Sequence, residues 1–509
     1  MQRLYPFIRY IPQGLLVIFL MTVYLSSIAP GLTWANFGAD GGDLITAAAA
    51  RGIAHPTGYP LYLLLVRLFQ LIPLGSLAFR TNLLSAFSTG CAALLIFRLV
   101  TQSLSPSESE HYWIAGLASG FAFGLAPMIW SQAVITEVYA LHSFLVVLLL
   151  YLSAHPISTQ FSKKRQDCLL GLTFGMAMGN HVTIIVLLPV VFLTKILRRS
   201  TQTQREKGLL NLHLDGRSLL RRCFWAGIGL LVYVTLPLCA LSHPPVNWGN
   251  PVTLNGFTWL VTGQLYKGLL LSLDLLSILE RFQTAVGLIL SQFGVIGLSV
   301  GLIGLIVYFK PTWLNYSMLW IVIASAAFAI GYATTDSFMY LIPAFLCFTV
   351  WIGMGLGKLM DSTSKRFLHF GMLIGLILIL ALLINAWGQR TQVDASTDLR
   401  AESFGKSVLS LAPKDAIVLT RGDGAVFTLW YFQYALGNRP DLLIIAADLI
   451  QFEWYLQTLH TVYPDLNLPG PLPFPETVVM ANPERPICYV QYIQVPEINC
   501  LPSRSSQFP

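Results

Sequence analysis

Residues Gly38–Tyr62 read GADGGDLITAAAARGIAHPTGYPLY, and this stretch decides how the rest is read. It follows the first hydrophobic run and sets Asp40 and Asp43 in a glycine-rich turn. A short alanine-rich helix comes next, then His55-Pro56-Thr57-Gly58-Tyr59-Pro60. Of the 509 residues 11% are charged and 55% hydrophobic. A soluble protein carries roughly a quarter charged residues. Acids are therefore scarce here, and two placed just past a membrane-length apolar run call for a reason.

Working outward, the class is a polytopic α-helical membrane protein, because the apolar runs are long enough to span a bilayer. The net charge of +7 sits in short loops between spans and does not point to nucleic acid. Arg3 and Arg9 before Gly14–Leu32 put the N-terminus in the cytoplasm and make that run an uncleaved first span. The opening stretch then lies outside. Leu61–Leu77, broken by Arg67, Pro73 and Gly75, reads as a helix along the outer interface.

The remaining spans are expected at Asn82–Val100, Trp113–Trp130, Ala140–Leu152, Phe224–Leu241, Ala285–Phe309, Trp313–Tyr332, Phe338–Leu356 and Phe367–Trp387. Leu169–Leu197 is expected to form two short helices meeting at Gly179-Asn180-His181. The total is about eleven spans with the tail outside. The basic run containing Lys195, Arg198, Arg199, Arg205, Lys207, Arg217, Arg221 and Arg222 falls on the cytoplasmic side in this count, as do Lys358, Lys365 and Arg366. The expected division is a membrane domain, 1–389, with its first external loop at 33–81, and an extracytoplasmic domain, 390–509.

In the tail, Ala416–Thr420 and Leu442–Ala446 read as short buried strands. Val426–Leu436 and Gln451–Tyr463 read as helices, and Pro464–Pro486 as loop. Strand–helix–strand–helix gives a small α/β domain with a parallel sheet. Cys488 and Cys500 both fall there. They form a disulfide or remain two thiols, and the sequence leaves both open.

Several residues stand out as candidates. Asp40 reads as the N-cap of the short helix and Asp43 as its third residue, a capping-box-like pair. Ionisable groups at membrane depth are functional by default, so both are also site candidates. Glu137, at the outer end of an apolar helix, is a dipole partner or a site residue. His142, five residues on, reads as packed. His181 sits at the broken helix tip and Asp336 at the start of a span. The loop with Trp248, Asn250, Tyr266 and Lys267 offers aromatic and amide groups suited to sugars, or to an interfacial belt. Lys267 and Arg281 read as phosphate neighbours. No nucleotide-binding or zinc-ligand motif is present.

The opening stretch resembles a loop of a membrane family whose animal members look like protein O-mannosyltransferases. The likeness is an aspartate–x–glycine–acid–leucine step followed by His-Pro-x-Gly-Tyr-Pro. WSQAVITEVYALHSF (130–144), GMAMGNHVTI (175–184), NWGNPVTLNGFTWLVTGQLY (247–266) and GDGAVFTLWYFQYALGNRPDLLII (422–445) resemble its later blocks. The resemblance implies the GT-C fold, a catalytic acid in the first external loop and a polyprenyl-phosphate sugar donor. Asp40 matches the loop aspartate. Asp43 stands where glutamate is expected, and Asn250 where aspartate is commoner. His55, Glu137 and His181 match the His-Pro, Glu-Val-Tyr and Gly-Asn-His motifs.

The resemblance implies an inverting glycosyltransferase of the plasma (inner) membrane, N-terminus inside. It would move a hexose, plausibly mannose, from a polyprenyl phosphate to a protein or cell-envelope glycan. Asp40 and Asp43 are the catalytic candidates. His55, Glu137, His181, Trp248, Asn250, Tyr266, Lys267 and Asp336 are the substrate-binding ones. No metal is required, although a divalent cation is compatible with the acids. A transporter or flippase is the rival reading, favoured by the break at Gly179–His181 but without a matching break in the second half.

Overall fold

The computed structural model describes residues 10–104, 111–155, 162–194, 197–199, 212–364, 370–470, 473–492 and 496–503. Arg3, Arg9, Lys195, Arg205, Lys207, Lys365 and Arg366, on which part of the orientation argument rests, lie outside the described residues.

The first helix, α1 (Ile11–Leu25), buries Leu16, Leu20 and Tyr24 at four-residue spacing. Leu15, Ile18 and Phe19 remain exposed, as a lipid-facing side requires. The Tyr24 hydroxyl donates to the Gly124 carbonyl at 2.8 Å, tying α1 to a later helix. After the opening loop come α2 (Gly41–Ala49) and α3 (Pro60–Gln70). At 11 residues α3 is too short to cross a bilayer.

The bundle continues with α4 (Leu77–Leu104), α5 (Tyr112–Gly124), α6 (Pro127–Ala133), α7 (Val138–Ala154) and α8 (Lys163–Met178). A 3₁₀ turn, Val182–Leu187, leads into α9 (Leu188–Leu193). The next segment, 216–240, is α10 (Gly216–Leu230), a 3₁₀ turn and α11 (Thr235–Ala240). Then follow α12 (Leu254–Val261), α13 (Leu275–Leu302), α14 (Trp313–Gly331), α15 (Ile342–Ser364) and α16 (Phe370–Val393). The span Ser337–Thr363 is central, with 89% of its apolar window buried, whereas Phe370–Val393 is peripheral at 28%.

Among the described residues, six helices are long and apolar enough to cross a membrane, or seven if the pair α5–α6, bent by 69°, counts as one. The expected count of eleven is not reached by that measure. Each expected span does coincide with a helix, but α1, α7, α8 and the Val182–Leu193 segment are shorter than 18 residues. The bend falls before Pro127, which cannot donate a backbone hydrogen bond. The loop left between the spans expected at Phe224–Leu241 and Ala285–Phe309 is shorter than those bounds give, because α13 starts at Leu275 on an Asp274 cap.

The tail holds α17 (Arg400–Leu411), α18 (Asp423–Trp430), α19 (Glu453–Val462) and α20 (Pro475–Ala481). Helix α18 starts three residues before the expected Val426, and α20 occupies part of the expected loop Pro464–Pro486. Two short strands upstream, β1 (Leu197–Arg199) and β2 (Leu212–Leu214), pair antiparallel. In the tail sheet, β3 (Ile417–Thr420) lies between parallel β4 (Leu443–Ala446) and β5 (Ile487–Tyr492). The last strand, β6 (Pro496–Leu501), pairs antiparallel with β5. Every residue of β3 and β4 is buried, as helix-covered parallel strands require. Cys488 and Cys500 face each other across β5 and β6 and are joined in a disulfide.

Candidate active site

The opening loop is fixed at its entry by the tail. Asp398 Oδ2 accepts from Thr33 Oγ1 (2.6 Å), Trp34 N (3.0 Å) and Ala35 N (2.8 Å). Burial opposes ionisation of Asp398, but hydrogen bonds from Arg400 and Thr33 outweigh it and hold the carboxyl at about 2. Asn36 and Phe37 then take left-handed backbone conformations, which swing the chain into α2 with Asp40 at its start. The Asn36 amide donates to the Val393 carbonyl at 2.9 Å.

Gly41 to Ala48 of α2 are all buried. Gly42 is needed for close approach, since a Cβ there would lie 2.6 Å from the Phe427 carbonyl oxygen of α18. The tail thus packs directly on the helix that carries the acids. Asp40 occupies the N-cap position, but its side chain makes no cap bond. Asp43 does not cap either. Its Oδ2 accepts from His55 N (2.8 Å) and lies 2.7 Å from His55 Nδ1, while Oδ1 accepts from Trp248 Nε1 (3.1 Å).

His55 is thereby oriented with Nε2 toward Asp40, 3.6 Å from Oδ2. The Tyr59 hydroxyl lies 3.2 Å from the same nitrogen. Asp43 is fully buried, whereas the Asp40 side chain is 40% exposed. One carboxylate is spent on orientation and the other is left open. Burial pushes the Asp40 carboxyl up, to about 6, against the opposing charge of His55. Burial disfavours the His55 cation, but Asp40, the hydrogen bond and charge of Asp43, and Glu137 together raise it to about 9.

The other candidates are placed around this pair. Glu137 caps α7, accepting from its own neighbour Val138 N at 3.2 Å, and it interacts electrostatically with Asp40 and His55. Asp336 is partly buried before a 3₁₀ turn, close enough for its charge to act on Asp40. His181 caps the turn after α8, with Nδ1 2.8 Å from Thr183 Oγ1. Its ring lies among those of Tyr59, Tyr139, Tyr340 and His142, at 5.5 to 6.1 Å between centroids. His142 is buried, as expected of a packed residue.

Trp248 follows Asn247, which pairs with Ile53 in a β-bridge and so brings the indole to Asp43. Burial and the charges of Asp40, Asp423 and Asp43 push the Tyr266 hydroxyl well up. Lys267 is exposed on the same turn. Asn250 is directed to the tail, donating to Gln457 Oε1 at 3.1 Å. Arg281 is not a free cation for phosphate. Its guanidinium sits in α13 and donates to the carbonyls of Ala329, Ile330 and Tyr332, closing the end of α14.

Sequence reasoning missed Asp423 at the start of α18, whose charge also acts on Asp40, and the Phe427 ring stacked 6.2 Å from His55. Gly422-Asp423-Gly424 was the available signal, a charged step between glycines inside a quoted block. Among the described residues, no three of His, Cys, Asp and Glu are grouped to hold a metal ion. Beside His181 lies a cavity of about 230 Å³, lined by Tyr139, His142, Ile185, Phe328, Met339 and Tyr340 among others. It is almost wholly apolar in its lining.

Residues 40–204 match the family described as the N-terminal domain of protein O-mannosyl-transferase TMEM260, and residues 401–473 match TMEM260-associated domain 2. The protein O-mannosyl-transferase TMEM260 of Mus musculus is 28% identical over 463 residues, covering 85% of this chain and 62% of that protein. Its counterpart from Dictyostelium discoideum is 25% identical over 496 residues, covering 85% and 57%. The chain spans about three fifths of the length of these relatives. Among solved structures, ArnT from Cupriavidus metallidurans bound to undecaprenyl phosphate aligns with a TM-score of 0.58 at 12% identity, covering 94% of this chain and 92% of that one. The apo form aligns at 0.54. The chain therefore resembles the O-mannosyl-transferases in sequence and has an ArnT-like, GT-C fold.

Proposed function

We propose that this chain is an inverting GT-C glycosyltransferase that moves a hexose, mannose by analogy with its relatives, from a polyprenyl phosphate to a protein hydroxyl. The observation that carries this is the Asp43–His55–Asp40 arrangement. A fully buried carboxylate fixes an imidazole, and a second, accessible carboxylate faces the other ring nitrogen. Relatives named protein O-mannosyl-transferases and a fold shared with an undecaprenyl-phosphate-binding protein support the donor and the acceptor.

In the reaction, Asp40 takes the proton of the acceptor hydroxyl as its oxygen attacks the anomeric carbon. The bond from that carbon to the phosphate oxygen breaks, and the phosphate leaves with the electron pair. The charges of Asp43 and Asp336, both felt at Asp40, favour the oxocarbenium-like transition state. Cationic His55 and the Tyr59 hydroxyl stabilise the departing phosphate. Asp43 and Trp248 hold His55 in place. The apolar cavity beside His181 suits the first units of the polyprenyl chain. The loop face and the tail are read as extracytoplasmic, in a plasma membrane with the N-terminus inside. The break at Gly179–His181, which favours the rival transport reading, sets the His181 ring among those of Tyr59, Tyr139 and Tyr340, and we read it as part of the donor site.

The test uses purified protein, labelled polyprenyl-phosphate mannose and a membrane extract as acceptor source. Asp40→Asn should cut transfer about 10²–10⁴-fold while the protein remains folded. Equal transfer by both proteins removes Asp40 as base. No transfer by either rejects the enzyme reading.

A further inference from the structure

A second cavity, of about 100 Å³, lies between the loop that carries Trp248 and helix α19 of the tail. His243, Asn247 and Asn250 face it from the loop, and Gln457, Thr458 and Thr461 from α19. Among the described residues the lining offers carboxamides, hydroxyls and the His243 imidazole, with no carboxylate, ammonium or guanidinium group.

The amides form a relay. Asn247 Nδ2 donates to Asn250 Oδ1 at 3.4 Å, and Asn250 Nδ2 donates to Gln457 Oε1 at 3.1 Å. The relay ends on Asn247 Oδ1, which among the described residues has no hydrogen-bond partner, in a residue only 5% exposed. A buried carbonyl left unpaired is costly, and the cost is recovered when a donor arrives. Asn247 lines the slot, so an N–H or O–H group seated there is the donor this carbonyl lacks.

Its position ties it to the chemistry. Asn247 is bridged to Ile53 and precedes Trp248, whose indole bonds Asp43, the anchor of His55. A chain seated in the slot is held on the tail side of that indole. We propose that the slot is an acceptor subsite, taking an uncharged amide- or hydroxyl-bearing side chain of the acceptor polypeptide near the residue to be glycosylated. This rests on the reading of the protein as a transferase to a protein acceptor. The volume has room for a few waters or one short side chain, not for a sugar ring. A polyprenyl chain has no donor for Asn247, and a phosphate would meet no ammonium or guanidinium group in the lining.

The test is independent of turnover. A photoreactive peptide of threonine, asparagine and alanine is bound to the full chain in detergent, carrying Asp40→Asn so that no transfer occurs. Cross-links are mapped by mass spectrometry. Saturable cross-links to residues 243–250 and 453–462 are expected. They should fall at least tenfold in Thr461→Trp, which fills the slot from an exposed position, and severalfold in Gln457→Leu. Lys406→Ala, elsewhere on the tail, should leave them unchanged. The same peptide with aspartate for asparagine should compete at least tenfold more weakly. Cross-links elsewhere, none that saturate, or cross-links indifferent to Thr461→Trp overturn the proposal. Transfer to the same peptide is assayed separately with the unsubstituted chain. Specific cross-linking without transfer would keep the slot as a peptide-binding site and count against the transferase reading on which its role as an acceptor subsite rests.

Discussion

Asp40 accepts a proton only when ionised, and its neighbours set the pH at which that holds. Burial raises it to about 6, and His55 opposes the rise. Below that value the base is protonated and the rate should fall about tenfold per pH unit. His55, raised to about 9, is cationic across the neutral range and loses its charge above that value. Transfer measured as kcat/KM should therefore form a plateau between limbs near 6 and 9. Asp43→Asn removes the hydrogen bond and charge that favour the His55 cation, so the alkaline limb should move down. A profile flat to pH 4, or an alkaline limb unmoved in Asp43→Asn, would contradict this assignment. Asp40, Asp43 and His55 were legible because they lie within one loop. Asp398 was not, because its bond to Thr33 spans 365 residues, and nothing local marks a tail carboxylate as the clamp of the first loop.

The apolar segments were legible as elements because hydropathy alone sets them, but how they are held together was not. Arg221 and Arg222 read only as orientation signals, yet both turn inward on Asp167 of α8. Arg221 Nη2 and Arg222 Nε donate to its two oxygens at 2.6 and 2.8 Å, and Arg222 is 1% exposed. Arg222 also donates to the carbonyls of Val191 and Thr194, so one side chain joins α8, α9 and α10. Gly171 and Gly175 let the α10 backbone approach beside this pair. Removing one partner of a buried pair leaves an uncompensated charge, at a cost of about 3–5 kcal/mol. Asp167→Ala should lower the thermal unfolding midpoint in detergent by several degrees, and Lys406→Ala should not. A midpoint equal to that of the unsubstituted protein would show that the pair does not hold these helices. The strand β5 was missed for a related reason: its parallel partner, β3, lies far back in the chain, and β6 pairs only with β5.

At the scale of the molecule, one arrangement joins topology to chemistry. The loops that carry Asp40, Glu137, His181, Trp248 and Asp336 meet at one end of the bundle, where the tail packs on Gly42. Helix α8 runs from Lys163 to Met178, next to His181, and its 16 residues span roughly 24 Å. Its basic start and the Asp167 cluster therefore lie at the opposite end from the site. Reading Leu61–Leu77 as an interfacial helix keeps an even number of crossings between such loops, and α3, at 11 residues, is too short to cross. The arrangement makes a direct demand on accessibility. Leu271 is 78% exposed beside the site, Lys414 is exposed on the tail and Lys164 is exposed at the start of α8. Single cysteines at these positions, with the five free cysteines replaced and Cys488–Cys500 kept, can be probed in intact cells with a membrane-impermeant thiol reagent. Leu271→Cys and Lys414→Cys should react from outside, and Lys164→Cys only after the membrane is opened. If Lys164→Cys reacts alongside Lys414→Cys, the two ends of α8 are not separated by the bilayer. The acid cluster could then no longer meet the proposed lipid-linked donor and the proposed tail-held acceptor from one side of the membrane.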